Sequence, residues 1–165
     1  MRGALPGYPP LLQPVAHSLL QSLEEARRHV VDLTPEQLWH RPHGAASIGY
    51  HVRHAAGSLD RLLTYARGEM LSEDQLAALK AEAEPDFEAG AGARLLDHFQ
   101  RAIDRALKQV RDTPESALTE PRGVGRAQLP STVIGLLVHA AEHTLRHMGQ
   151  MITTIRITRS SPPRL

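Results

Sequence analysis

The chain has 165 residues, of which 41% are apolar, 22% charged and 4% aromatic, with twelve Gly, twelve Pro and no Cys. That length fits one domain spanning residues 1–165, with enough core to fold without disulfides or a structural metal. The lack of Cys excludes zinc ribbons, iron–sulfur clusters and a protein thiol nucleophile.

A net charge of +1, with one Trp, three Tyr and two Phe, supplies neither a global field nor a stacking surface for nucleic acid. No apolar stretch approaches the ~18 residues of a membrane span, and the first residues carry no signal-peptide pattern. The expectation is a cytoplasmic protein with no membrane and no nucleic-acid partner. Charge is uneven along the chain: Gly68 to Gly90 holds seven acidic residues against Lys80 alone, and reads as a solvated connection. Pro121 to Leu165 holds six Arg against Glu142 alone, too dispersed to form a basic run.

The spacing of Leu12, Val15, Leu19, Leu20, Leu23, Ala26 and Val30 predicts a first long helix over Pro9 to Asp32. Thr34, Pro35 and Gln37 then form a capping box for a short helical turn carrying Leu38 and Trp39, broken at Arg41-Pro42. Ser47 caps a second long helix, whose stripe runs through Ile48, Val52, Ala55, Ala56, Leu59, Leu62, Leu63 and Ala66 to a stop at Gly68. The acidic segment Glu69 to Gly92 holds a short helix over Glu73 to Ala83. A third long helix follows over Ala93 to Arg111. Pro121 to Pro130 is turn-rich with a brief extended piece. Ser131 then caps a last helix from Thr132 to about Ile157. Four long helices with an extended crossover between the second and third describe an all-α, antiparallel four-helix bundle, with a core of about 12–157 and a disordered tail of about 158–165.

Ten histidines against two phenylalanines is an odd balance, and seven fall in two windows: His40, His43, His51 and His54, then His139, His143 and His147. Histidine is the commonest metal ligand and the usual near-neutral acid or base. His143 and His147, four apart on the last helix, lie on one face at the margin of its apolar stripe and can reach a single ion. The same pair also reads as two partly exposed flank residues. His139-Ala-Ala-Glu142-His143 matches the H-x-x-E-H peptidase pattern, but no acidic residue follows Glu142 to complete such a site, and Glu142 reads as a solvated carboxylate. A third ligand would come from the second helix, where periodicity favours His51 over His54.

Trp39-x-Arg41-Pro42, then Ser47-Ile48-Gly49-Tyr50-His51-Val52-Arg53-His54-Ala55, then Ala141-Glu142-His143-Thr144-Leu145-Arg146-His147-Met148-Gly149-Gln150 together resemble the DinB/YfiT-like superfamily of metal-binding four-helix bundles. The resemblance runs from about Leu12 to Ile157. It implies a metal-binding His seven residues after the capping Ser, at His54 in place of His51, and two more at His143 and His147. Arg146, where many relatives carry another His, and Ser58, where many carry an acid, depart from the pattern.

Three imidazoles leave coordination positions open, as a catalytic divalent ion requires, and residue type alone does not choose among Ni, Zn, Fe and Mn. The resemblance implies a metal-dependent enzyme acting on a small substrate, of thiol S-transferase or hydrolase type, using a low-molecular-weight thiol. The alternative is a non-catalytic metal-binding or stress-response bundle acting through dimerisation or partner binding. A homodimer is expected from relatives. Tyr50, Arg53, Arg146 and Gln150 lie within a turn of these histidines as candidate supports, with Arg53 and Arg146 also readable as solvated charges. Trp39 and Pro42 are expected to pin the interhelical loop. No catalytic residue is assigned.

Overall fold

The computed structural model of the protein describes residues 3–160. A 3-10 turn at Pro10–Leu12 runs into α1 (Gln13–Val30). Pro14 sits in its first turn, where the missing N–H has no intrahelical partner to lose. The capping box forms as its residues dictate: Thr34 Oγ1 accepts from Gln37 N, Gln37 Oε1 accepts from Thr34 N, and α2 covers Pro35–Trp39. The Trp39 ring then lies over the backbone of Gly49, so close that a Cβ at Gly49 would come within 2.9 Å of the indole. Trp39 thereby pins the interhelical loop to the start of the next helix, as expected.

That helix, α3 (Ile48–Ala66), begins where Ser47 Oγ accepts from Tyr50 N at 3.1 Å. It ends before Gly68, whose φ of +80° continues no right-handed helix. A second capping box, Ser72 with Gln75, starts α4 (Glu73–Lys80), shorter than the predicted helix to Ala83. The crossover retraces α3 from its end toward its start. Gln75 Nε2 donates to Thr64 Oγ1 at 2.8 Å, and Arg53 Nη1 donates to Ala81 O at 3.1 Å. Next comes α5 (Ala91–Asp112), then a hairpin of β1 (Pro121–Val124) and β2 (Leu129–Thr132), antiparallel with Pro121 opposite Thr132 and Val124 opposite Leu129. This two-stranded sheet is more than the brief extended piece expected. Arg122 Nε ties it to the end of α3 by donating to Ala66 O at 2.8 Å.

The last helix, α6, covers Val133–Ser160. Its cap is Thr132, whose Oγ1 accepts from Gly135 N at 3.1 Å, and not Ser131 as predicted, because the hairpin runs on through Ser131 to Thr132 and the helix starts only at Val133. The helix also outruns the predicted end at Ile157. Residues 158–160, assigned to a disordered tail, are helical, since the first helix-breaking residue is Pro162. The rest of that tail lies outside the described residues.

The protein is mostly helical. α1 and α3 each pack against both α5 and α6. Between them Leu19, Leu59, Phe99, Ile103, Leu137 and Met151 are fully buried, each worth about 1.5–3 kcal/mol from removal from water. Among the described residues no helix is long and apolar enough to cross a membrane. The arrangement sets the first two turns of α3 beside the middle of α6, with the crossover laid over the outer side of α3.

Candidate metal centre

The contact between α3 and α6 brings His54 together with His143 and His147. One ring nitrogen from each lies within 4.8 Å of the others. His54 Nε2 and His143 Nε2 are 3.1 Å apart, and the His147 ring centroid lies 4.5 Å from that of His54 and 4.6 Å from that of His143. The i, i+4 spacing on α6 stacks its two imidazoles one turn apart. The seven-residue step from Ser47 turns His54 toward them.

The other ring nitrogen of His54 is committed. His54 Nδ1 lies 2.6 Å from Glu82 Oε2, and because an ionised carboxylate only accepts, the proton sits on Nδ1 and the Nε2 lone pair faces the cluster. Burial by itself would raise the Glu82 carboxyl, but hydrogen bonds from His54 and Arg61 outweigh it and hold the group below its ordinary pKa. Arg61 Nη1 reaches Glu82 Oε1 at 2.6 Å. Tyr50 stacks on one face of the His54 ring, with centroids 5.3 Å apart and planes 13° from parallel.

His51, which periodicity favoured as the third ligand, is buried but stands outside the cluster. Its Nδ1 lies 3.1 Å from His147 Nδ1, so it closes the back of the His147 ring. Burial, then the neighbouring imidazoles of His54, His143 and His51, push the pKa of His147 down to about 4. Burial first, then His54, lowers both His143 and His51. At pH 7 these three rings are neutral, the form in which imidazole binds a cation.

The donor set fits a divalent ion. Imidazole nitrogens converge from two helices, and two of the rings have their remote nitrogens engaged by Glu82 and His51, which fixes ring orientation. Three protein ligands are the number found where positions stay open for water or substrate. A cavity of about 240 Å³ lined by Arg41, Ala46, Ser47, Tyr50 and Ala83 lies beside Tyr50.

The remaining candidates lie elsewhere. His40 and His43 are exposed on the loop before α3. His139 is exposed, and Glu142 pairs with Arg146 at 2.5 Å on the outer face of α6, so the H-x-x-E-H reading has no counterpart in the cluster. Arg146 is a surface charge and Gln150 is exposed. Arg53 is not the solvated charge it resembled: its guanidinium lies 4.5 Å from the Trp39 ring centroid and donates to Ala81 O and Glu84 O. The crossover is likewise not wholly solvated, because Glu82 is only 3% exposed. Nothing in the sequence marks Glu82 or Arg61 as part of the site. One acid among seven in an aperiodic segment carries no mark, and the available signal was Gly57 midway between His54 and Arg61 on one helix face.

Known proteins set this geometry in context. No curated protein matches the chain. Its fold is similar to that of a conserved protein from Enterococcus faecalis, with a TM-score of 0.72 at 16% identity over 91% of this chain and 98% of that one. It is also similar to a DinB-like protein from Bacillus cereus, with a TM-score of 0.67 at 15% identity over 92% of this chain and 95% of that one. The family model of the DinB superfamily matches residues 18–151, which include α3, the crossover and all three clustered histidines, and the chain belongs to that superfamily.

Proposed function

We propose that His54, His143 and His147 hold one divalent cation and that the protein is a metal-dependent enzyme acting on a small molecule, of thiol S-transferase or hydrolase type. The observation that carries this reading is the convergence of three imidazole nitrogens within 4.8 Å, with the far nitrogen of His54 engaged by a buried carboxylate. A structural site would close the coordination with a fourth protein ligand, and a core of this size needs no staple. The chain is read as a single domain whose long helices α1, α3, α5 and α6 form an antiparallel four-helix bundle, working in the cytoplasm as a homodimer.

When bound, a divalent ion supplies Lewis acidity, lowering the pKa of a coordinated water or thiol toward neutrality. The residues do the rest. His54 keeps its proton on Nδ1 and presents Nε2, while His51 and His147 share one proton between their Nδ1 atoms. At the contact between His54 Nε2 and His143 Nε2 the hydrogen belongs to His143, and a cation taken up there would replace it, with the His143 proton moving to Nδ1. The cavity beside Tyr50 offers a phenol and the Arg41 guanidinium to a small polar substrate. Ni, Zn, Fe and Mn all suit this donor set.

The test is turnover of small thiols with generic electrophiles, and of simple esters and amides, by protein loaded with each metal in turn. Turnover that disappears in His143→Ala supports the enzyme. Stoichiometric metal binding without any turnover favours the non-catalytic metal-binding bundle.

A further inference from the structure

Between Glu69 and Gly90 one residue alone is buried, and it is an acid. A crossover ordinarily docks by burying an apolar side chain. Here Leu76, Leu79 and Phe87 are exposed and Glu82 goes inside. Both carboxylate oxygens are used, Oε2 on His54 Nδ1 and Oε1 on Arg61 Nη1, each at 2.6 Å. Gly57 makes this possible. It lies between His54 and Arg61 on the same face of α3, and a Cβ there would collide with Glu82 Oε1 and come within 2.8 Å of Arg61 Nη1. A glycine in mid-helix costs about 1 kcal/mol against alanine, so the notch has a purpose that helix propensity opposes.

We propose that Glu82 is the positioning residue of His54, seated in the Gly57 notch and braced by Arg61, and that through it cation binding and docking of the crossover favour one another. The inference rests on the three-histidine reading above. A carboxylate on Nδ1–H fixes the tautomer and the ring plane and makes Nε2 a stronger donor. A cation drawing electron density from Nε2 strengthens the Nδ1–H to Glu82 bond in turn. By linkage the same free energy then holds residues 81–84 against α3. Arg53, the residue before His54 on α3, also ties this segment by donating to Ala81 O and Glu84 O.

The experiment compares wild type with Glu82→Gln, Gly57→Ala and His143→Ala, all as the full chain. Gly57→Ala keeps every charge and improves helix propensity, so it stays folded if the loss of charge in Glu82→Gln does not permit folding. Long-range nitrogen–proton NMR of the metal-free proteins reads the His54 tautomer. Titration with Zn²⁺ or Co²⁺ reads affinity, and hydrogen exchange with and without the ion reads the amides of residues 69–90.

The expected result is a single Nδ1–H tautomer in wild type and a mixture in both Glu82→Gln and Gly57→Ala. Affinity falls by roughly 10–100-fold in Glu82→Gln and in the same direction in Gly57→Ala. The ion protects the crossover amides in wild type only. Unchanged tautomer and affinity in both variants, with wild type still binding and His143→Ala not, overturns the role of Glu82 and leaves the metal site standing. If wild type binds no ion, the metal reading fails, and the tautomer comparison alone decides whether Glu82 positions His54.

Discussion

His51 and His147 face each other across the α3–α6 interface with their Nδ1 atoms 3.1 Å apart, so one donates and the other accepts. This contact makes His51 a support for His147 and not a member of the cluster. Substituting His51→Ala should therefore keep one equivalent of metal while weakening its binding by up to roughly tenfold, the lower end of the usual effect of removing a residue behind a ligand. Isothermal titration beside a His54→Ala control decides it. Loss of all binding on His51→Ala alone would make His51 a ligand.

Acid should destabilise the metal-free protein early. Unfolded, His147 titrates near its ordinary 6.5, while folded it titrates at about 4, because burial and then the adjacent imidazoles disfavour its charge. Between those values the unfolded chain holds the extra proton, so stability is full above about pH 6.5 and falls as pH drops toward 4. The lowered pKa values of His51 and His143 act in the same sense. Urea unfolding across this range should show a loss on the order of 1–3 kcal/mol, much reduced in His147→Gln. A flat profile would mean that His147 stays accessible to protons.

Arg61 is 9% exposed and its guanidinium bears on the buried Glu82 carboxylate. Removing it as Arg61→Met leaves that carboxylate with the neutral His54 Nδ1–H as its remaining side-chain donor, at a cost of about 3 kcal/mol. The double variant Arg61→Met with Glu82→Gln should recover part of that loss, because it no longer strands a buried charge. Thermal unfolding of the three proteins gives the comparison, and a double variant less stable than Arg61→Met would contradict the pairing.

Core and site are separable. Phe99→Ala empties a fully buried position on α5 and should cost about 3–5 kcal/mol, yet metal stoichiometry in the folded protein should not change. Arg146→Ala, which breaks an exposed pair with Glu142 on α6, should change stability by less than about 1 kcal/mol and leave the metal in place. Elemental content of both variants, measured with their melting temperatures, checks the two statements together.

Much of this architecture is local chemistry and is legible residue by residue. Thr34 with Gln37 and Ser47 with Tyr50 form caps at the predicted places, and the apolar stripes of α1, α3 and α5 are the surfaces that pack. The site divides differently. Periodicity rightly placed His51 closer to the core, but closeness to the core is not convergence on a partner helix. His54, which the resemblance to the DinB/YfiT-like superfamily puts in place of His51, is the one that meets His143 and His147. Glu82 was out of reach because its burial depends on a long-range fit: a crossover doubling back, a notch at Gly57 and a cation at Arg61. The cap of α6 falls one residue later than Ser131 for a related reason, since pairing of β2 as far as Thr132, opposite Pro121, is a tertiary fact that a local cap signal does not carry.

The central claim is that His54, His143 and His147 bind one ion. Its most direct test is elemental analysis of protein purified without a histidine tag or chelator, as wild type and as His54→Ala, His51→Ala and His143→Ala. The expected result is about one equivalent of Ni, Zn, Fe or Mn in wild type and His51→Ala, and none in the other two, with helicity by circular dichroism unchanged throughout. Wild type that takes up none of these ions even after reconstitution, or His54→Ala and His143→Ala proteins that keep a full equivalent, would contradict the claim.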